Sequence, residues 1–347
     1  MTEKIFTREE WVSALKTLSD AYKVFVPVKD GDFHTFMPLD TGKNPDFSFQ
    51  NTRLSPKSVV YPQSERMFEF SVDENDTEAN ILKEAPKDDT PQAIVGIRPC
   101  DAHAFRIVKR NFDTPEFKDP WWVRRYESTV LVGLGCNEPC STCFCTSVGG
   151  GPFCEDALDA LLYDLGETFL VKGLTEKGEA FVGKMGGGKA VDEESRKSAE
   201  TLAAAASEKV NPDVPTDRLG EKVINDLFDA PFWEEVAFAC LNCGTCTFLC
   251  PTCWCFDIQD EVFEKQGDRI RNWDSCMFPL FTLHGSGHNP RSEKFQRVRQ
   301  RFMHKLKYYV DKYKDGVQCS GCGRCVRYCP VNIDIRHVAE LMNNYRD

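Results

Sequence analysis

The strongest constraint in this sequence is a cysteine run that occurs twice with a single spacing. Cys240, Cys243, Cys246 and Cys250 are separated by two, two and three residues and followed by Pro251, and Cys319, Cys322, Cys325 and Cys329, followed by Pro330, repeat the pattern. Two-residue gaps let a short loop wrap one iron–sulfur cubane so that three successive thiolates reach three irons, while the fourth cysteine starts a helix that leads away. The proline after it fixes the backbone where the chain leaves. In two-cluster ferredoxins the fourth cysteine of each run serves the other cluster. On that pattern one [4Fe-4S] cluster takes Cys240, Cys243, Cys246 and Cys329, and a second takes Cys319, Cys322, Cys325 and Cys250. Structural zinc also uses Cys-x-x-Cys pairs, but two such pairs satisfy it, and two runs of four ending in Cys-Pro exceed that need.

The total of 17 cysteines in 347 residues fits either oxidised staples in a secreted protein or metal ligands in a reducing compartment. Met1-Thr2-Glu3-Lys4 turns charged at once, and no run approaches the roughly 18 apolar residues of a membrane span. The expectation is a cytoplasmic protein with reduced thiols and no membrane contact. With 43 basic against 54 acidic residues, a formal charge of −11 argues against nucleic acid as a partner.

Organisation follows the cysteines. Residues 1–205 read as an α+β or α/β domain, 206–230 as a linker containing Pro212 and Pro215, and 231–347 as an α-helical dicluster ferredoxin-like domain. Thr7 and Glu10 cap a helix with Trp11, Leu15 and Leu18 at helical spacing. Strands are expected at 22–28, 67–72, 92–97 and 129–134, the third of them apolar on both faces and so central. It ends at Arg98-Pro99-Cys100-Asp101, leading into a helix, which is where α/β folds place chemistry. The strand 129–134 likewise runs into Cys136, Cys140, Cys143 and Cys145. Thiols at two strand ends of one sheet can meet, so a third cluster competes here with the plainer reading of buried cysteines as small hydrophobes.

Several of these residues carry a resemblance. The stretch Cys250-Pro-Thr-Cys-Trp-Cys-Phe, then Asn272-Trp273-Asp274-Ser275-Cys276, Gly287-His288-Asn289 and Cys329-Pro330-Val331-Asn332-Ile333-Asp334-Ile335 resembles the four-iron dicluster electron-transfer subunit family. Arg98-Pro99-Cys100-Asp101 and Cys143-Phe144-Cys145-Thr146-Ser147 match it too. The family includes the electron-transfer subunit of anaerobic sulfite reductase, the beta subunit of soluble sulfhydrogenases, and the iron–sulfur subunit of flavin oxidoreductases linked to heterodisulfide reductase. The resemblance implies an electron relay in anaerobic metabolism. One partner would be a flavoprotein that oxidises NAD(P)H, the other a catalytic reductase, hydrogenase or heterodisulfide reductase subunit. Family members commonly have glycine where Cys140 stands, so the resemblance implies Cys100, Cys136, Cys143 and Cys145 as ligands of a third [4Fe-4S] cluster. No flavin, NAD or substrate site is expected in this chain. The alternative is a self-sufficient reductase with a flavin or haem pocket in the N-terminal domain.

Weaker signals remain. Gly183 to Ala190 nearly spells a phosphate-binding loop but has Ala190 where magnesium needs Ser or Thr, so it reads as a surface loop. His284 and His288 are possible ligands or sulfur hydrogen-bond donors. Cys253, Cys255 and Cys276 are left over and read as sulfur-rich packing or, less simply, another site; Cys154 is expected to start a helix in the core. An amphipathic helix built on Phe295, Val298, Phe302, Leu306 and Tyr309 carries Arg291, Lys294, Arg297, Arg299, Arg301, Lys305 and Lys307, expected on a solvated or docking face.

Overall fold

The computed structural model describes residues 2–210 and 214–346. Eleven strands form two sheets: β1 (Glu3–Thr7), β2 (Lys23–Asp30), β3 (Phe33–Pro38), β4 (Ser64–Ser71), β5 (Lys83–Glu84), β6 (Gln92–Ile97), β7 (Thr129–Leu134), β8 (Ala160–Asp164), β9 (Thr168–Gly173), β10 (Phe256–Phe263) and β11 (Gln266–Trp273). The larger sheet has the order β1-β9-β8-β7-β6-β2-β3, with β2, β6, β7 and β8 parallel and the flanking pairs antiparallel. β6 and β7 are buried along their whole length, as expected of strands apolar on both faces. The parallel step between them is bridged by helices Pro99–Phe112 and Pro120–Ser128. Helix Arg8–Thr17 starts with the reciprocal Thr7 and Glu10 cap and packs Trp11 against Phe6, Phe47 and Phe169 on one face of the sheet. Phe105, Val108, Phe112 and Trp122 cover the other.

The C-terminal part is helical around a second core, in which Trp233, Phe302, Leu306 and Val338 meet Phe144 from the N-terminal half. It is not helical throughout. The hairpin β10–β11 has no clear sequence signal, because its residues alternate without an apolar face and β10 is exposed almost end to end. β11 pairs with β4, so this second sheet, β10-β11-β4-β5, draws strands from both ends of the chain. Strands β1, β3, β5, β8 and β9 are likewise illegible in the sequence, since each is short or lies beside a turn. Cys154 does not start a helix; it lies half-buried in irregular chain before β8. Of the expected linker, 211–213 lie outside the described residues; before them helix Glu193–Glu208 runs into the segment, and after them Val214 and Leu219 join the second core.

A buried ion pair fastens the two halves beside the cysteines. Arg324, between Cys322 and Cys325, donates to both oxygens of Asp101 at 2.5 and 2.7 Å, and to Thr52 O at 2.9 Å. Asp101 is fully buried and Arg324 nearly so. Removing one member of such a pair leaves the other charge buried and uncompensated, at a cost of about 3–5 kcal/mol. Asp101→Asn should therefore lower the unfolding free energy of the anaerobic protein, measured by denaturant titration, by an amount in that range. A change below about 1 kcal/mol, the size of a surface pair, would show that the pair does not hold the halves together.

Candidate iron–sulfur centres

The two repeated runs fold alike. In the first, Asn242 and Gly244 have φ of 52° and 74°; in the second, Gly321 and Gly323 have 65° and 72°. These left-handed residues, two and four places after the first cysteine, turn each loop back on itself before the one-turn helices Thr245–Phe248 and Arg324–Arg327. Backbone amides then point at sulfur: Asn242 N to Cys240 Sγ at 3.4 Å, Gly321 N to Cys319 Sγ at 3.5 Å and Ile333 N to Cys329 Sγ at 3.2 Å.

The thiols gather around three cavities. Cys240, Cys243, Cys246 and Cys329 line one, reached also by Cys325. Cys250, Cys319, Cys322 and Cys325 line the next. Cys100, Cys136, Cys143 and Cys145 line a third, with Cys322 and, as a fifth thiol, Cys140. All seventeen cysteines are free. Among the described residues, no three His, Cys, Asp or Glu side chains converge closely enough to hold a single metal ion. The sulfurs surround volumes, as the ligands of a multi-iron cluster would.

The second and third cavities abut through backbone. Phe144 N donates to Gly321 O at 2.9 Å, and a Cβ on Gly321 would stand 2.5 Å from Cys145 N. Only glycine fits that approach.

What sequence reasoning missed is the direction of the basic helix. It runs as Lys294–Met303, a wider turn His304–Tyr308 and Tyr309–Tyr313, and Arg297, Arg301, Lys305 and Lys307 are buried. The face expected in solvent or on a partner therefore points, at these four positions, into the protein. Arg301, 4% exposed, borders both ferredoxin-type cavities, and its Nε and Nη2 have no hydrogen-bond partner. Lys305 Nζ donates to Cys250 Sγ at 3.4 Å and Thr252 Oγ1 at 2.7 Å. Burial works against the Lys305 and Arg301 charges, but surrounding cysteine sulfurs hold both pKa values above the ordinary range. Conversely, a hydrogen bond from Cys253 and the Lys305 charge hold Cys250 well below the usual thiol range. Arg98 plays the same part at the third cavity, donating to Leu134 O at 3.2 Å and Gly135 O at 2.5 Å beside Cys136. Neither Arg98, Arg301 nor Lys305 has a carboxylate partner among the described residues. Uncompensated buried cations cost several kcal/mol each. An anionic cluster with thiolate ligands would supply the missing charge, so these residues fit such a group. His284 and His288 stand exposed on a loop, their backbones joined at 2.8 Å, away from the cavities.

A duplicated four-cysteine loop with cross-placed fourth thiols and inward cations defines the class of four-iron dicluster electron-transfer proteins. The 4Fe-4S dicluster domain family matches residues 239–333, which implies two clusters. The sulfhydrogenase 2 subunit beta of Pyrococcus furiosus is 30% identical over 337 residues, covering 93% of this chain and 92% of the relative. The chain belongs to the family of that iron–sulfur subunit. No solved structure matches it. No helix among the described residues is long and apolar enough to cross a membrane.

Removing the Arg301 charge should make reduction harder, because reduction adds a negative charge that a buried cation stabilises. Arg301→Gln is expected to lower at least one cluster midpoint by about 60 mV, a tenfold change in a one-electron equilibrium. An EPR-monitored redox titration measures this; unchanged or raised midpoints would contradict the electrostatic role.

Proposed function

We propose that this chain is the electron-relaying subunit of a cytoplasmic oxidoreductase complex of the hydrogenase type. It stands between a flavoprotein that oxidises NAD(P)H and a catalytic subunit, and has no substrate site of its own. Its ligand sets are Cys240, Cys243, Cys246 and Cys329; Cys319, Cys322, Cys325 and Cys250; and, for a third [4Fe-4S] cluster, Cys100, Cys136, Cys143 and Cys145. Bound clusters supply one-electron donor and acceptor centres.

The observation that carries the reading is the sharing of lining residues. Cys322 borders the third and second cavities, and Cys325 borders the second and first. Successive centres are thus one residue apart, in a row that crosses from the sheet to the C-terminal core. Cys243 is exposed, and Leu241 nearby is 65% exposed. That end of the row is open to a docking protein. The relative is by name a subunit of a sulfhydrogenase, which supports a hydrogenase-type complex for this chain. The other family settings, sulfite and heterodisulfide reduction, would use the same relay, because substrate choice resides in the partner.

Two measurements test this. The purified chain should be reduced by dithionite yet fail to pass electrons from NADH to an artificial dye until a flavoprotein partner is added. Steady NADH turnover by the flavin-free chain would defeat the relay reading and favour a self-sufficient reductase. Second, Cys250→Ser should perturb the spectrum of the Cys319-run cluster and spare the Cys240-run cluster, with Cys329→Ser doing the reverse. Damage in the opposite sense would mean that each run holds its own cluster. At the third site Cys140→Ser should leave the spectrum intact and Cys100→Ser should weaken it.

A further inference from the structure

Three cysteines outside the ligand sets above, Cys253, Cys255 and Cys276, are brought to one cavity of about 330 Å³ at the inner side of the basic helix. Cys253 and Cys255 follow the first run directly, while Cys276 arrives from beyond the hairpin β10–β11. Asp274 N donates to Cys255 O at 3.0 Å, which fixes that meeting.

The sequence around the first two is a copy of the loop at the third site. Cys140-Ser141-Thr142-Cys143-Phe144-Cys145 and Cys250-Pro251-Thr252-Cys253-Trp254-Cys255 share cysteines at the first, fourth and sixth places, threonine at the third and an aromatic residue at the fifth. The local structure repeats as well. In both loops the fourth residue donates its amide back to the first carbonyl, Cys143 N to Cys140 O at 2.9 Å and Cys253 N to Cys250 O at 3.4 Å. At the third site the last two cysteines of the loop, with two thiols from elsewhere, surround a cavity; here they do so with Cys276.

The electrostatics point to an anionic occupant. Arg291, Arg301 and Lys305 line the cavity, and among the described residues no carboxylate does. Buried Lys57 approaches from the sheet side, donating to Cys253 O at 2.8 Å, with its Nζ 3.8 Å from the centre of the Trp273 ring. The unpartnered Nε and Nη2 of Arg301 belong to a side chain shared by this cavity and its two neighbours. A fourth donor is available from the helix. His304 opens the wide turn His304–Tyr308, and its ring lies 6.2 Å from that of Trp254 on the cavity wall. Wide turns of this kind inside helices recur at functional sites, where they redirect a side chain.

We propose that this cavity is a fourth iron–sulfur site, in which Cys253, Cys255 and Cys276 ligate three irons of a [4Fe-4S] cluster and His304 faces the fourth. Each thiol gives up its proton on ligation, and the surrounding cations offset the charge that remains. Because Cys250 of the second ligand set touches Cys253, the site forms a side branch of the row of centres.

The test uses the full chain reconstituted anaerobically with ferrous iron and sulfide. Wild type and Cys253→Ala/Cys255→Ala/Cys276→Ala are compared by iron and acid-labile sulfide content and by Mössbauer spectroscopy. The triple variant should hold about four irons and four sulfides fewer than wild type. That difference is independent of the relay reading, which fails separately if the wild type has no reducible cluster. Equal iron contents overturn the proposal, as does a loss of one zinc atom in place of four irons. If the triple variant loses every cluster, Cys276→Ser decides, since it should change the reduced-state EPR signal of one cluster and leave the others; an unchanged spectrum overturns the site. His304→Ala should alter that same signal, and an unaltered one overturns the assignment of the fourth position.

Discussion

The structure depends on the charge balance between buried cations and sulfur. Arg98, Arg301 and Lys305 lie inside the protein with no carboxylate partner among the described residues, and each borders a cavity walled by cysteines. A cation in such a place is unfavourable unless a negative group stands beside it. The basic helix turns its charged residues inward toward cysteine sulfurs, where thiolate-bound clusters would balance their charge.

The second theme is repetition at two scales. The four-cysteine runs carry left-handed residues at matching positions, so both loops curl in the same way and their short helices pack together. The six-residue loop at 140–145 recurs at 250–255, once beyond the end of the central strand β7 and once at the end of the first run. These two loop types supply thiols to every cysteine-lined cavity, with Cys100, Cys136 and Cys276 added from elsewhere. Their spacing is set by direct backbone contact, glycine against the Thr142 to Cys145 segment, which L side chains would prevent.

The two halves of the chain are consequently not separable around the centres. Phe144 belongs to the C-terminal core, β4 pairs with β11, and Asp101 holds Arg324. Each contact lies within a few residues of a cysteine. Electron relay requires centres whose separation does not fluctuate, and contacts of this kind, buried and made from both sides, provide that rigidity.

Local spacing alone determined the two ferredoxin runs, because a cubane demands a loop of fixed length and that demand is written in consecutive residues. Strands β6 and β7 were equally legible, since a segment apolar on both faces has nowhere to go but the centre of a sheet. The Thr7 and Glu10 cap was also readable, being a contact between neighbours. Tertiary structure decided the rest. The hairpin β10–β11 has no apolar face of its own and takes its place by pairing with β4, some two hundred residues earlier. The inward course of Arg301 and Lys305 contradicts their charge and follows only from what they meet in the interior. The meeting of Cys276 with Cys253 and Cys255 has no local signal, because the strands that separate them in sequence are what bring them together in space.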